Sequence, residues 1–180
     1  YYYTDVFGIS AAAVGTMFFV TKLWDAVNDP LMGIIADRTR SRFGKFRTYI
    51  LWVAVPYGIM GYLMFANPDL GESGKIVYAW VNYSLMMMIY TAINVPYSAL
   101  MGVMTPSSRE RTVLSSYRFV CAFGGGLLIS MLVRPLIQFF GNGDEAKGFS
   151  YTMALFAVMS VALFWYTFST TRERVVARDD

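Results

Sequence analysis

Apolar residues run through this chain in blocks of roughly equal length, separated by short polar breaks. A membrane-spanning helix needs about 20 mostly apolar residues. Five blocks reach that length, at about 10–36, 48–67, 76–104, 112–140 and 148–170. The second, third and fifth contain no charged residue. The first carries Lys22, Asp25 and Asp29, and the fourth carries Arg118 and Arg134. The breaks Asn67–Lys75, Thr105–Arg111 and Gly141–Lys147 are rich in Gly, Pro, Asn or Ser, as connecting loops are. The pattern predicts an all-α polytopic membrane protein. A soluble helical bundle is the competing reading, and the long uncharged stretches argue against it.

Composition agrees. Hydrophobic residues make up 56% of the 180 positions and charged residues 15%, against about 25% charged in soluble domains. The net charge of +3 is too small and too dispersed to suggest nucleic acid. The lone Cys121 cannot form an internal disulfide, and the absence of histidine excludes imidazole metal sites and histidine proton relays. No cleavable signal peptide is evident. The chain opens at Tyr1 inside an aromatic run resembling the end of a membrane helix, so the expectation is a fragment of a longer protein.

Charge placement then sets orientation. Arg38, Arg40, Arg42, Lys45 and Arg47 occupy one loop. Arg109 and Arg111 fall in the next loop but one, and Arg172, Arg174 and Arg178 follow the last span. If five helices alternate, these cations share one side, leaving only Lys75 and Lys147 opposite. The positive-inside rule makes the crowded side cytoplasmic.

The chemistry concentrates in WDAVNDPLMGIIADRTRSRFGKFR, from Trp24 to Arg47. At about 100° per residue, Lys22, Asp25, Asn28 and Asp29 share an arc of roughly 120°, with Phe18, Phe19 and Leu31 around it. Carboxylates at membrane depth are costly and are functional by default. Carboxylate and amide oxygens within one turn are hard ligands suited to an alkali cation. The structural alternative is that Lys22 pairs with one acid to hold helices together. One lysine cannot neutralise two carboxylates, so a second cation, a proton or a metal ion is still required. Pro30 and Pro96 each permit a bend beside these polar groups.

A polar stripe on the third span, Ser84, Met87, Thr91, Asn94 and Ser98, faces the acids in this reading. Thr91 offers a hydroxyl ligand and Asn94 an amide for a hydroxylated substrate. The alternative is that the hydroxyls bond their own backbone and Asn94 joins helices. Arg118 can fork-bond a carboxylate or sugar hydroxyls, or snorkel to the cytoplasm. Arg134 fits a snorkelling role near the outer end.

Three segments resemble the glycoside–pentoside–hexuronide:cation symporters of the major facilitator superfamily. They are YYYTDVFGIS with the WDAVNDP run that follows, YTAINVPYSAL, and RERTVLSSYRF. The resemblance implies helices two to six and the end of helix one of an amino-terminal half, residues 1–180, lacking the carboxy-terminal half. It implies a coupling-cation site at Asp25, Asn28, Asp29 and Thr91. It also implies a substrate site that includes Arg118, and the GxxxDR loop implies cytoplasmic gating by Gly33, Asp37, Arg38, Gly44 and Lys45. Where the family's sugar site has an acid and a tryptophan on helix four, this chain has Asn94 and Ser98.

The expectation is therefore a transporter and not an enzyme: cation-coupled symport of a sugar or glycoside by alternating access in a bacterial inner membrane. Na⁺ is the expected coupling ion, with H⁺ and Li⁺ as alternatives, and no tightly bound cofactor. Its expected partners are the sugar, the lipid bilayer and the missing half of the same transporter, with no nucleic acid. Proton-coupled transport of a glucuronide or lipid-like solute uses the same fold. An intramembrane aspartyl protease is a distant rival, because its acids converge from two helices and here both lie on one. A non-transporting membrane scaffold is the other.

Overall fold

A computed structural model describes residues 1–174. A π-helical turn at Tyr2–Val6 precedes five α-helices: α1 Ala11–Arg38, α2 Arg47–Leu63, α3 Glu72–Met104, α4 Ser108–Gly141 and α5 Glu145–Thr170. No strand occurs among the described residues. The chain is thus all-α, as its hydrophobic blocks predict.

Local chemistry sets the helix starts. The Ser10 hydroxyl accepts from the Ala13 amide ahead of α1, and Ser107 caps α4 through the Glu110 amide. Asp144 accepts the Lys147 amide at 3.1 Å to start α5. Each cap satisfies an N–H that the helix itself cannot. Helices α3, α4 and α5 outrun their apolar blocks at the charged ends, so Glu72, Lys75, Arg109 and Glu145 are helical, whereas α2 stops at Leu63, short of the expected end at 67. Hydropathy tracks the hydrocarbon depth, whereas helical hydrogen bonding continues past it.

Three helices, α3, α4 and α5, are each long and apolar enough by themselves to cross a membrane. The other two expected spans differ for identifiable reasons. Helix α1 carries Lys22, Asp25 and Asp29 within its length, and α2 has only 17 residues. Apolar side chains nevertheless face outward on every helix, among them Leu23, Trp52, Leu85, Phe123, Leu128 and Leu163. Such surfaces suit lipid or another helix far better than water.

Packing runs α1 on α3, α3 on α2, α2 on α5 and α5 on α4, with a light α3–α4 contact. Gly148 is essential to the α4–α5 corner. A Cβ there would run into the Ile137 carbonyl oxygen. Two buried clusters hold the two ends. One gathers Phe7, Ile9, Met17, Ala79, Ile137 and Phe149; the other gathers Met32, Ala36, Phe46, Ile50 and Leu100.

The loops sort to the two ends as strict alternation predicts. At one end the Tyr1 hydroxyl meets Glu145 at 2.9 Å, and Lys75 donates to the Phe7 carbonyl. At the other, the basic loop after α1 meets the segment after α5, whose Arg174 amide donates to Val103 at the end of α3. Arg178, counted with the basic side in the sequence, lies outside the described residues.

Candidate functional site

The polar face of α1 meets α3 at one point. The Thr91 hydroxyl donates to Asp29 Oδ1 at 2.8 Å. Thr91 is buried on α3, between turns that also bury Ile93 and Pro96. Its hydroxyl therefore has a fixed direction, and it reaches across to α1. Thr21 behaves otherwise, bonding back to the Met17 carbonyl in its own helix at 2.7 Å.

One turn earlier, Asp25 Oδ2 pairs with Lys22 Nζ at 3.4 Å. The lysine side chain is 69% exposed and the aspartate only 14%. The other oxygen, Asp25 Oδ1, is buried without a hydrogen-bond partner. A buried acceptor left unpaired costs about 1–3 kcal/mol, so this oxygen calls for a proton or a cation. The pairing of Lys22 with Asp25 is thus present but incomplete. Asn28 is half-buried and Asp29 lies on an exposed part of α1. Pro30 sits inside the helix. It has no N–H to offer the Ala26 carbonyl, which frees a further oxygen in the same turn. Two carboxylates, an amide and a hydroxyl thus come from two adjacent helices. Among the described residues no group of three or more His, Cys, Asp or Glu could hold a metal ion.

Asn94, Ser98 and Arg118 are not drawn into one cavity. Asn94 lines a small space of about 140 Å³ with Tyr57, Tyr90, Tyr97 and Phe164. Arg118 lines another of about 260 Å³ with Tyr97, Tyr117 and Cys121. Ser98 lines neither. Tyr97 lines both, and the Arg118 guanidinium carbon lies 5.5 Å from its ring centre. Tyr97 escaped the sequence reading because its neighbour Pro96 and the polar stripe took precedence. An aromatic one turn beyond Asn94 was the available signal. Arg134 sits at the other end, lining a space with Tyr1, Gln138 and Glu145.

The loop after α1 is braced at three points. Lys45 Nζ pairs with Asp37 Oδ1 at 3.2 Å. Thr39 and Tyr49 hydroxyls lie 2.6 Å apart. The strongest brace is Glu173, whose carboxylate accepts the amides of Lys45, Phe46 and Arg47 at 2.9, 2.8 and 3.0 Å. These amides lead into α2: Lys45 precedes the N-cap Phe46, which has no capping side chain, and Arg47 is the first helical residue. The carboxylate supplies the missing acceptor and meets the positive end of the helix dipole. Gly44 holds φ at +107°, and a Cβ there would stand 2.7 Å from the Glu173 carboxylate. Gly44 is therefore required both for its backbone conformation and for the space. Arg47 completes the contact, donating to the Phe168 carbonyl at 2.6 Å with its guanidinium over the Phe168 ring. Gly33 has open space around it, and Arg38 is exposed with no side-chain partner among the described residues. Glu173 was missed by the sequence reading. The cue was an acid among arginines in TRER, together with a helix start lacking Ser, Thr, Asp or Asn.

Long apolar helices with outward-facing apolar side chains, joined by basic loops at one end, define an integral membrane protein. The MFS/sugar transport protein family profile matches residues 1–180, and the chain belongs to that family. Its relatives include YagG of Escherichia coli (strain K12), named provisionally as a glycoside/cation symporter. The two are 48% identical over 97% of this chain and 38% of YagG. The inner membrane symporter YicJ of the same organism is 45% identical over 98% of this chain and 38% of its own length. The isoprimeverose transporter of Lactiplantibacillus pentosus is 38% identical over 97% of this chain and 37% of its own length. The chain thus spans well under half the length of these relatives. Membership places it among transporters and not among enzymes.

Proposed function

We propose that the protein containing this chain is a cation-coupled symporter for a sugar or glycoside, working by alternating access in a bacterial inner membrane. The observation that carries this reading is the Thr91–Asp29 bond beside the unpartnered Asp25 oxygen. Asp25, Asn28, Asp29 and Thr91 hold the coupling cation, with Na⁺ as the first choice. Its arrival neutralises the α1 acids and draws α1 and α3 together. Arg118 and Asn94 bond substrate hydroxyls from the α3 and α4 sides, Ser98 contributes nearby, and the half absent from this chain closes the site. Substrate sites in such transporters lie between repeat-related halves. Gly33, Asp37, Arg38, Gly44 and Lys45 belong to the loop that opens and closes the cytoplasmic end. A monovalent cation moving down 100 mV supplies about 2.3 kcal/mol.

The unpaired Asp25 oxygen also suits a proton, so H⁺ coupling, with a glucuronide or lipid-like solute, is the second reading. Uptake of labelled sugars by vesicles containing the full reading frame decides between them. Na⁺-dependent accumulation that Asp29→Cys abolishes supports the first. Uptake indifferent to Na⁺ but lost with a protonophore supports the second. Accumulation undiminished in both Asp25→Asn and Asp29→Cys overturns the role of this site.

A further inference from the structure

Three arginines converge on one cavity at the basic end of the bundle. It measures about 770 Å³ and lies between the end of α3, the first turns of α4 and the segment after α5. Arg109, Arg172 and Arg174 line it. None of the three guanidinium groups has a hydrogen-bond or ion-pair partner among the described residues. Several other cations at this end are engaged, Lys45 with Asp37, Arg47 with Phe168 and Arg42 over the Phe43 ring, and Arg38 and Arg111 do not line the cavity. The lining contains one acid, Glu110, and the Thr105 hydroxyl already donates to it. The Arg174 backbone is pinned to Val103, which holds that part of the wall in place. Val113 and Leu114 add an apolar wall.

Three uncommitted guanidiniums around one space exceed what a single carboxylate needs. They match a phosphate, whose several oxygens accept the paired donors of each arginine. Basic pockets between helices at the cytoplasmic surface are suited to anionic lipid headgroups. The adjoining apolar wall suits the first carbons of an acyl chain, and the volume far exceeds a bare phosphate ion. We infer that Arg109, Arg172 and Arg174 form a binding site for a phosphate-bearing anion, filled by an anionic lipid headgroup or by a free phosphate compound. The site is separate from the α1–α3 acids and does not depend on the identity of the transported solute or coupling ion.

The test uses the full reading frame, purified and delipidated in detergent, with cardiolipin, phosphatidylcholine and pyrophosphate as probes. Native mass spectrometry reads lipid retention, and thermal unfolding reads pyrophosphate binding. The wild type is expected to retain cardiolipin over phosphatidylcholine. Arg109→Gln/Arg172→Gln/Arg174→Gln should lose at least about tenfold of that retention, and Arg111→Gln, which lies outside the cavity, should not. Pyrophosphate stabilisation that the triple variant alone loses, without lipid preference, assigns the site to a soluble phosphate and also supports the inference. Equal behaviour of wild type and triple variant toward both probes overturns it, as does an equal loss in Arg111→Gln. If the triple variant does not fold, Arg172→Gln against Arg111→Gln decides by the same criteria.

Discussion

The Thr91 hydroxyl and the Asp29 carboxylate lie 2.8 Å apart, a hydrogen bond that joins α3 to α1 across 62 positions of sequence. Hydrogen bonds to charged groups contribute about 1.5–3 kcal/mol. Thr91→Val keeps the shape and removes the hydroxyl, so on the proposed Na⁺ site apparent Na⁺ affinity should fall about tenfold or more, since 1.4 kcal/mol is a factor of ten. Thr91→Ser keeps the hydroxyl and should stay within a few-fold of wild type. Na⁺-dependent uptake or Na⁺-induced thermal stabilisation measures both. Equal affinity in the valine variant would show that the hydroxyl orients Asp29 without assisting the cation.

Glu173 closes the basic loop onto α2 through three backbone amides. Removing a helix-capping acceptor costs about 0.5–2 kcal/mol. Glu173→Ala should therefore lower the unfolding temperature in detergent, and Glu173→Gln should lower it less, because an amide oxygen still accepts. Gly44→Ala should behave like Glu173→Ala or worse. It forces a residue with a Cβ into φ +107° and pushes that Cβ into the carboxylate. The double variant should show less than the sum of the two losses, since both act on one contact.

How far these features were legible in sequence follows from their range. Asp25, Asn28 and Asp29 share one helical arc, and helical period alone reveals that. The ends reached by Arg38–Arg47 and Arg109 followed from alternation and loop charge. Glu173 acts 126 to 128 residues from its partners, and no local pattern encodes such a pairing. The α3 stripe shows the same limit. Period places Thr91 and Asn94 on one side of a helix, yet Thr91 turns to α1 and Asn94 to a space shared with α2 and α5. A 60° step around the axis is enough to change the neighbour. Arg118 was recognisable as an intramembrane charge, whereas its aromatic partner Tyr97 was one of 13 tyrosines.

Asp144 supplies a prediction in pH. Its carboxyl is held below its ordinary value of 3.8, first by the Lys147 backbone amide and then by the Lys147 side chain. A carboxyl depressed in the folded state contributes stability that is fully present above its unfolded value. That contribution is lost as pH falls through the folded value. Wild type should thus exceed Asp144→Asn in unfolding temperature from pH 7 to about pH 5. The gap should close as pH drops below 3.8. The Asp144 side chain is nearly half exposed to solvent, and screening keeps the gap small. A gap that persists unchanged at pH 3 would assign the difference to packing of the α5 start instead of ionisation.

On the proposed function, variants at the Arg118–Tyr97 contact should affect the substrate and not the cation. The guanidinium lies 5.5 Å from the ring centre, within the range of a cation–π attraction of about 0.5–2 kcal/mol. Tyr97→Phe keeps the ring face and should leave sugar uptake within a few-fold of wild type. Tyr97→Leu removes the ring and frees the arginine, so the substrate KM should rise about threefold to thirtyfold, the range those energies allow. Arg118→Lys should raise KM further, because a point charge replaces the planar fork. Neither side chain touches Asp25 or Asp29, so Na⁺-induced thermal stabilisation without sugar should be unchanged in all three variants. Loss of that stabilisation in Tyr97→Leu would mean that the tyrosine positions α3 against α1, and its effect on sugar would then be indirect.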